Sequence, residues 1–173
     1  MKKKQYKKQE KVYRILDDAN IIIKTLVEKY PKILWTVQPE KIVVLAIEND
    51  PPKWKNWMAR IRKINNPIKV ILEKYRIQAE YIIELYLENW NEWSEKTRGW
   101  VLFHELLHIP DPDKSGLLKH NIEDFSIIID KIGAKSYENE TIPNLLDDNV
   151  VDFNQELILE EKDYDILLPL YKE

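Results

Sequence analysis

The chain has 173 residues and a mass of 20.8 kDa, which suits one domain with a buried core. With 44% hydrophobic and 33% charged residues, its composition is neither that of a disordered chain nor that of a membrane protein. It has no Cys, which excludes disulfides and thiolate chemistry, and only three Gly, which exclude a glycine-rich phosphate loop. All three His lie between positions 104 and 120, so any chemistry that needs imidazole must take place there.

The net charge of -3 conceals two oppositely charged ends. Residues 1–14 carry seven basic residues and one acid, whereas residues 138–173 carry eleven acids and two Lys. The basic end is a candidate for binding nucleic acid, although two solvated ends are the simpler interpretation. No apolar run of signal-peptide length follows the basic end, and no segment is long enough to span a membrane, so a cytoplasmic location is predicted.

Hydrophobic periodicity predicts three elements in the first 64 residues. Residues 8–30 have apolar positions at helical spacing up to Pro31, and the β-branched run at 42–48 predicts a buried strand. Residues 53–64 combine two Trp and two Ile at helical spacing with basic residues. We interpret them as a helix with a core-facing stripe rather than as a surface that stacks on nucleic-acid bases.

The second half of the chain is predicted to contain a strand and two helices. Alternating apolar residues at 78–88 favour a strand over a helix. Ser94 is a suitable N-cap for a helix that must end near Ile109, because Pro110 disfavours helical geometry in the residue before it. A second helix is predicted from about 120 to 132, followed by Gly133 as its C-terminal cap.

The sequence His-Glu-Leu-Leu-His at 104–108 lies on the predicted helix that begins after Ser94. Residues four apart share one helix face, so His104 and His108 can direct both imidazoles at a single metal ion. Glu105 is rotated by about 100° from His104. That position suits a general base that takes a proton from a zinc-activated water, and this spacing therefore predicts a zinc hydrolase.

A catalytic zinc site needs a third protein ligand besides the two imidazoles. His120 is the first candidate, because the twelve residues after His108 include Gly116 and two Pro and are long enough to reverse direction. Asp124, one turn after His120 on the predicted second helix, is the alternative, and Glu123 is a weaker one. If His120 binds the metal, either acid is available to orient an imidazole instead.

The segment WVLFHELLHIP, followed after a short loop by KHNIEDF, resembles the putative phage metallopeptidase domain family. Asn121 and Ile122 replace the Asp and Val of the usual second block. The resemblance implies an α+β fold, a compact zincin-like domain with a small mixed β-sheet packed on helices that include the active-site helix. It covers residues 10–133, which leaves a basic extension at 1–14 and an acidic segment at 134–173.

The resemblance also implies the activity, which is peptide-bond hydrolysis with Zn2+ as cofactor, Glu105 as base and a peptide or protein as substrate. An extended substrate would lie along an edge strand, which the resemblance assigns to residues 79–88. Phage or prophage origin follows from the same family. Two alternatives stay open: an inactive zincin-like protein that binds metal or peptide, and a DNA-associated SprT-like protease factor. Nucleic acid is the less favoured partner, and the sequence predicts no oligomeric state.

Overall fold

A computed structural model describes residues 11–49, 58–74, 76–119, 128, 143–148 and 151–153 of the chain. Within these residues the strands of a small β-sheet are interspersed with helices along the chain. The elements are β1 (Tyr13–Ile15), α1 (Asp17–Lys29), a 3-10 turn (Pro39–Lys41), β2 (Ile42–Ile47), β3 (Ala59–Lys63), α2 (Asn66–Lys74), β4 (Tyr81–Tyr86), α3 (Leu87–Glu92) and α4 (Glu95–Leu107).

The four strands form one mixed sheet in the order β1-β2-β4-β3. β2 and β4 are parallel, with Val44 opposite Ile83, whereas β1 and β3 pair antiparallel with β2 and β4 respectively. One face of the central strands is completely buried in a hydrophobic cluster with α1 and α4. The predicted class, an α+β fold with a small mixed sheet and helices compatible with a compact zincin-like domain, is confirmed.

Several predicted elements are confirmed in place. The run at 42–48 contains β2, the run at 78–88 contains β4, and the helix capped by Ser94 is α4. The predicted second helix at 120–132 lies outside the described residues except for Ile128, which is buried. No helix in the described part of the chain is both long and apolar enough to cross a membrane.

Three predictions about secondary structure and topology are wrong. Residues 13–15, placed in the first helix, form β1, so that the helix begins only at Asp17. Residues 59–63, placed in a helix, form β3, in which Ile61 is buried between exposed Arg60 and Arg62. The strand assigned as the sheet edge is β4, but β4 lies between β2 and β3, so β3 is the edge strand on that side of the sheet.

Residues 143–148 and 151–153 pack on the helical side of the domain. Leu145 is fully buried, and Phe153 stacks on Phe103 of α4 with ring centroids 5.2 Å apart. The indole N–H of Trp100 donates to the carbonyl oxygen of Pro143 at 2.7 Å. The domain limits of 10 and 133 stay a prediction, and this later segment contributes to the same core.

Candidate active site

Helix α4 carries the His-Glu-Leu-Leu-His motif in its last turn. The hydroxyl of Ser94 accepts a hydrogen bond from the Thr97 N–H at 3.1 Å, which satisfies an amide that the helix leaves unpaired at its start. Most of the helix between Gly99 and Leu106 is buried. His108 is the C-terminal cap and keeps α-helical backbone angles, so the four-residue spacing of the two histidines is helical throughout.

The two imidazoles of the motif lie side by side at the C-terminal end of α4. The ring centroids of His104 and His108 are 5.3 Å apart, and their planes are inclined by 69°. Two imidazoles bound to one tetrahedral zinc at about 2.0–2.1 Å would have centroids about 5 Å apart, so the observed separation fits a shared ion. The negative end of the helix macrodipole also favours a cation at this place.

The ring of His108 is oriented by the loop that follows α4. Its Nδ1 lies 2.6 Å from the carbonyl oxygen of Leu118, and the Leu118 N–H donates to the carbonyl oxygen of His108 at 2.8 Å. Because a carbonyl oxygen can only accept, this contact requires the proton on Nδ1. Nε2 is then the atom with a lone pair for a metal, which is the usual arrangement around a ligating histidine.

Glu105 is turned toward the sheet and is only 5% exposed. Its Oε2 accepts a hydrogen bond of 2.7 Å from the backbone N–H of Ile61, the central residue of β3. A buried carboxylate is costly unless such donors compensate for the lost water. The structure thus puts Glu105 beside His104 on α4 and next to the outer edge of β3.

The third-ligand candidates His120, Asp124 and Glu123 all lie outside the described residues. Among the residues that the structure does describe, no group of three His, Asp or Glu is arranged to hold a metal. The described part of the site therefore supplies two nitrogen donors and a neighbouring carboxylate. These fit zinc in type and spacing, and a third donor has to come from elsewhere in the chain.

The sequence offers Arg98, Tyr75 and Tyr137 as candidates for stabilising the oxyanion of the reaction, but no spacing argument supports any of them. The structure describes Arg98. Its Nε donates to the carbonyl oxygen of Trp90 at 2.9 Å, and its guanidinium lies 4.7 Å from the centre of the Trp90 ring. The side chain thus joins α3 to the start of α4, two turns before the motif. Tyr75 and Tyr137, the other candidates, lie outside the described residues.

Sequence reasoning missed the ionic cluster that holds β3 next to Glu105. The carboxylate of Glu84 on β4, with a side chain only 2% exposed, accepts from Nε and Nη2 of Arg60 at 2.8 and 2.7 Å, and it also binds Arg62. The two arginines flank Ile61 on β3. The alternation of Arg, Ile and Arg was the available signal for a strand with one buried face.

A pocket of about 270 Å³ lies beside the end of α4 and was also not predicted. Leu118, whose backbone binds His108, is one of its walls, and exposed Trp35 is another. No local sequence pattern indicates this pocket, because its lining comes from three separate segments of the chain. The lining residues are Ile33, Trp35, Thr36, Leu106, Leu107, Ile109, Asp111, Leu118 and Lys119.

Comparisons with known proteins provide evidence independent of this geometry. Neither the curated proteins nor the solved structures gave a match to the chain. A family model described as putative phage metallopeptidase matches residues 6–150, which is most of the chain and includes β1 to α4. The match begins before residue 10 and extends past residue 133, the limits expected from the sequence motifs. The chain belongs to the putative phage metallopeptidase family.

Proposed function

We propose that the protein is a zinc-dependent metallopeptidase that hydrolyses peptide bonds in a peptide or protein substrate. The observation that carries the proposal is the arrangement on α4. His104 and His108 are spaced for one ion, and Glu105 is held beside them at the edge of the sheet. Membership of a family described as metallopeptidases supports the reaction class.

We propose His120 as the third zinc ligand, with Asp124 as the alternative. The support comes from Leu118, which is bound to His108 through two hydrogen bonds. His120 follows Leu118 by two residues, and two residues of extended chain span about 7 Å at most. This short connection permits His120 to reach the two imidazoles, whereas Asp124 has a longer connection to the same anchor.

A zinc ion at this site would supply a Lewis acid that polarises the scissile carbonyl and makes a water molecule more acidic. The residues of the chain have separate tasks. Glu105 accepts the proton of the attacking water on its carboxylate and delivers it to the leaving amine. His108 keeps its Nδ1 proton on the carbonyl of Leu118, so that its Nε2 stays available as a donor.

We further propose that the substrate binds in extended form along the outer side of β3. In the antiparallel register with β4, Ala59 and Lys63 direct their backbone N–H and C=O groups away from β4. The Ile61 C=O points the same way, whereas the Ile61 N–H is bonded to Glu105. No described strand pairs with that side. A peptide added there would gain main-chain hydrogen bonds largely independent of its sequence and would lie next to Glu105.

The decisive experiment combines metal content with peptidase activity. Wild type purified with zinc should hold one zinc per chain, and His104→Ala and His120→Ala should each lose it. Zinc retained in His120→Ala but lost in Asp124→Ala would move the third ligand to Asp124. Wild type that holds no zinc would overturn the proposed function.

The role of Glu105 needs a variant that keeps the metal. Glu105→Gln should retain zinc and lose at least about 100-fold in kcat, since removing a general base typically costs 10²–10⁴-fold. Glu95→Gln is the matched control, because Glu95 lies exposed in the first turn of the same helix. Full activity in Glu105→Gln would contradict the assignment of the base.

A further inference from the structure

The contact between β3 and Glu105 has a consequence for how the base is held. Glutamate has three rotatable side-chain bonds, and α4 fixes only the backbone from which they start. One contact that favours a single carboxylate position is the 2.7 Å hydrogen bond from the Ile61 N–H to Oε2. It joins residues 44 positions apart in the sequence, so it exists only when β3 and α4 are packed together.

The register of the sheet explains why this amide is available. The hydrogen bond from the Ile64 N–H to the carbonyl of Glu80 makes that pair a hydrogen-bonded one. In an antiparallel ladder such pairs alternate with pairs that are not bonded to each other. Ile61 opposite Ile83 is therefore in a non-bonded pair, and its N–H points to the outer edge, where Glu105 accepts it.

The amide of Ile61 is itself held in place from both sides. An edge strand is normally prone to fraying, because it has a partner on one side only. Here the residues before and after Ile61 are the arginines that bind buried Glu84, and the Ile61 side chain is only 6% exposed in the core. The donor is therefore a fixed point of the sheet rather than a mobile loop amide.

We propose that the backbone amide of Ile61 is a positioning group for the Glu105 carboxylate, so that strand β3 fixes the direction in which the base faces the reacting water. The inference rests on the proposed function and extends it to a residue outside the metal-binding motif. Strand β3 would then both bind the substrate and orient Glu105, so that the substrate and the base lie side by side.

The test removes one N–H without changing a side chain. Ile61 is replaced by its α-hydroxy acid analogue, which converts the amide into an ester. The same analogue at Ile15 is the matched control, because Ile15 on β1 also directs its N–H to an outer edge of the sheet, three strands away from β3. The ester at 61 should lower kcat by about 10–100-fold with KM changed less than about twofold, as for other outer partners of catalytic groups.

A second measurement observes the contact without depending on activity. In the wild-type protein the Ile61 amide should exchange its hydrogen at least about tenfold more slowly than the Ile15 amide, since it is bonded to Glu105. Glu105→Ala should bring the two rates together. Equal exchange of the two amides in wild type would overturn the inference, because the proposed hydrogen bond would then be absent.

The outcomes separate this inference from the proposed function. If wild type cleaves peptides and the ester at 61 has the kcat of the ester at 15, only the positioning role is wrong. If wild type binds no zinc and cleaves no peptide, the proposed function fails and the positioning role fails with it. A drop in kcat confined to the ester at 61, together with slow exchange of the Ile61 amide, supports the inference.

Discussion

At the scale of single residues, Glu84 is the most completely buried charged group in the described part of the chain. Its side chain is 2% exposed, whereas Arg60 and Arg62, which bind it, are 45% and 53% exposed. The two guanidinium groups can therefore be solvated by water without Glu84, but Glu84 depends on them. This asymmetry means that the carboxylate, and not either arginine, decides the energy of the cluster.

Glu84→Gln should lower the free energy of unfolding by about 1–3 kcal/mol, the usual value of hydrogen bonds to a charged group. The amide keeps one acceptor oxygen and turns an NH₂ group toward the second arginine. Arg60→Ala and Arg62→Ala should each cost at least as much as Glu84→Gln, because each takes a charged partner from a carboxylate that stays buried. Urea unfolding measures these changes, with Glu88→Gln at an exposed position of α3 as control. A loss for Arg60→Ala well below that for Glu84→Gln would contradict the dependence of Glu84 on the arginines.

A second carboxylate gives a pH-dependent prediction. The hydrogen bond from the Lys41 ammonium to Glu80, at 3.0 Å, lowers the pKa of that carboxyl below its ordinary value. A lowered folded-state pKa stabilises the protein above the unfolded-state pKa, and this stabilisation is lost as the pH falls through the folded-state pKa. Both side chains are about one-third exposed, so the contribution is about 0.5 kcal/mol.

Glu80→Gln should therefore be less stable than wild type at pH 7, and the difference should be smaller at pH 3. The measurement is the difference in free energy of unfolding between the two proteins at both pH values. Lys41→Met should reproduce the loss at pH 7, since it removes the same pair from the other side. A stability difference between the two proteins that grows as the pH falls would show that the predicted direction of the pH dependence is wrong.

At the scale of elements, the sequence was most informative where one pattern had a single interpretation. The Ser94 cap, the apolar run to Phe103 and the stop before Pro110 predict α4 correctly, and its motif therefore lies on one helix face as expected. The interior of this helix can be predicted from the local sequence alone. The same holds for β2, whose β-branched run is followed by a turn signal.

The prediction failed at β3 because two periodicities overlap there. Ile61 and Ile64 are both buried and three residues apart, which imitates a helical stripe. In the structure Ile61 belongs to the strand, and Ile64 follows its end. Helix α2 was not predicted, although proline is well accommodated in the first turn of a helix, where Pro67 lies. The partner of Glu105 was unpredictable, because it depends on packing between residues 44 apart.

Gly99 allows a test of how α4 packs on the later segment of the chain. A Cβ placed on Gly99 would lie 3.4 Å from Cγ of Leu146, which is ordinary contact for one methyl group. Gly99→Ala should be neutral or stabilise by up to about 1 kcal/mol, since alanine favours the helix. Gly99→Val adds two methyl groups against Leu146 and should cost about 1–3 kcal/mol. Thermal unfolding compares the two variants, and equal melting temperatures would show that Leu146 does not pack there.

At the scale of the whole molecule, α4 joins three separate parts of the described fold. It contacts β3 through Glu105, the loop at 111–119 through His108, and the segment at 143–153 through Trp100 and Phe103. The two ends of α4 therefore contact different parts of the fold. A substitution near the N-terminus of α4 can shift the motif at its C-terminal end, because both belong to one buried helix.

The segment at 143–153 is bound to α1 as well as to α4. The Tyr30 hydroxyl donates to the carbonyl oxygen of Leu145 at 3.2 Å and accepts from the Val151 N–H at 3.4 Å. Burial raises the pKa of the Tyr30 phenol, which keeps its proton on the oxygen as donor. The ammonium of Lys29 donates to the carbonyl of Leu146 at 2.8 Å. Buried polar groups of the two helices thus depend on this segment for their partners.

These contacts predict that a chain ending at residue 142 is much less stable than one ending at residue 153. The shorter chain loses Leu145 and Phe153 from the core, and burial of one such side chain contributes about 1.5–3 kcal/mol. A domain of this size is stable by only about 5–15 kcal/mol in total. We expect the melting temperature of chain 1–142 to be at least about 10 °C below that of chain 1–153.

Calorimetry of the two truncated chains, with the full chain as reference, measures this difference. Hydrogen exchange of the Ile61 amide in both truncated chains shows whether the site is affected, because the amide exchanges slowly only while β3 and α4 are packed. Faster exchange in chain 1–142 would show that the segment at 143–153 supports the position of Glu105 through α4. Equal melting temperatures would instead show that the folded domain ends before residue 143, in agreement with the predicted limit at residue 133.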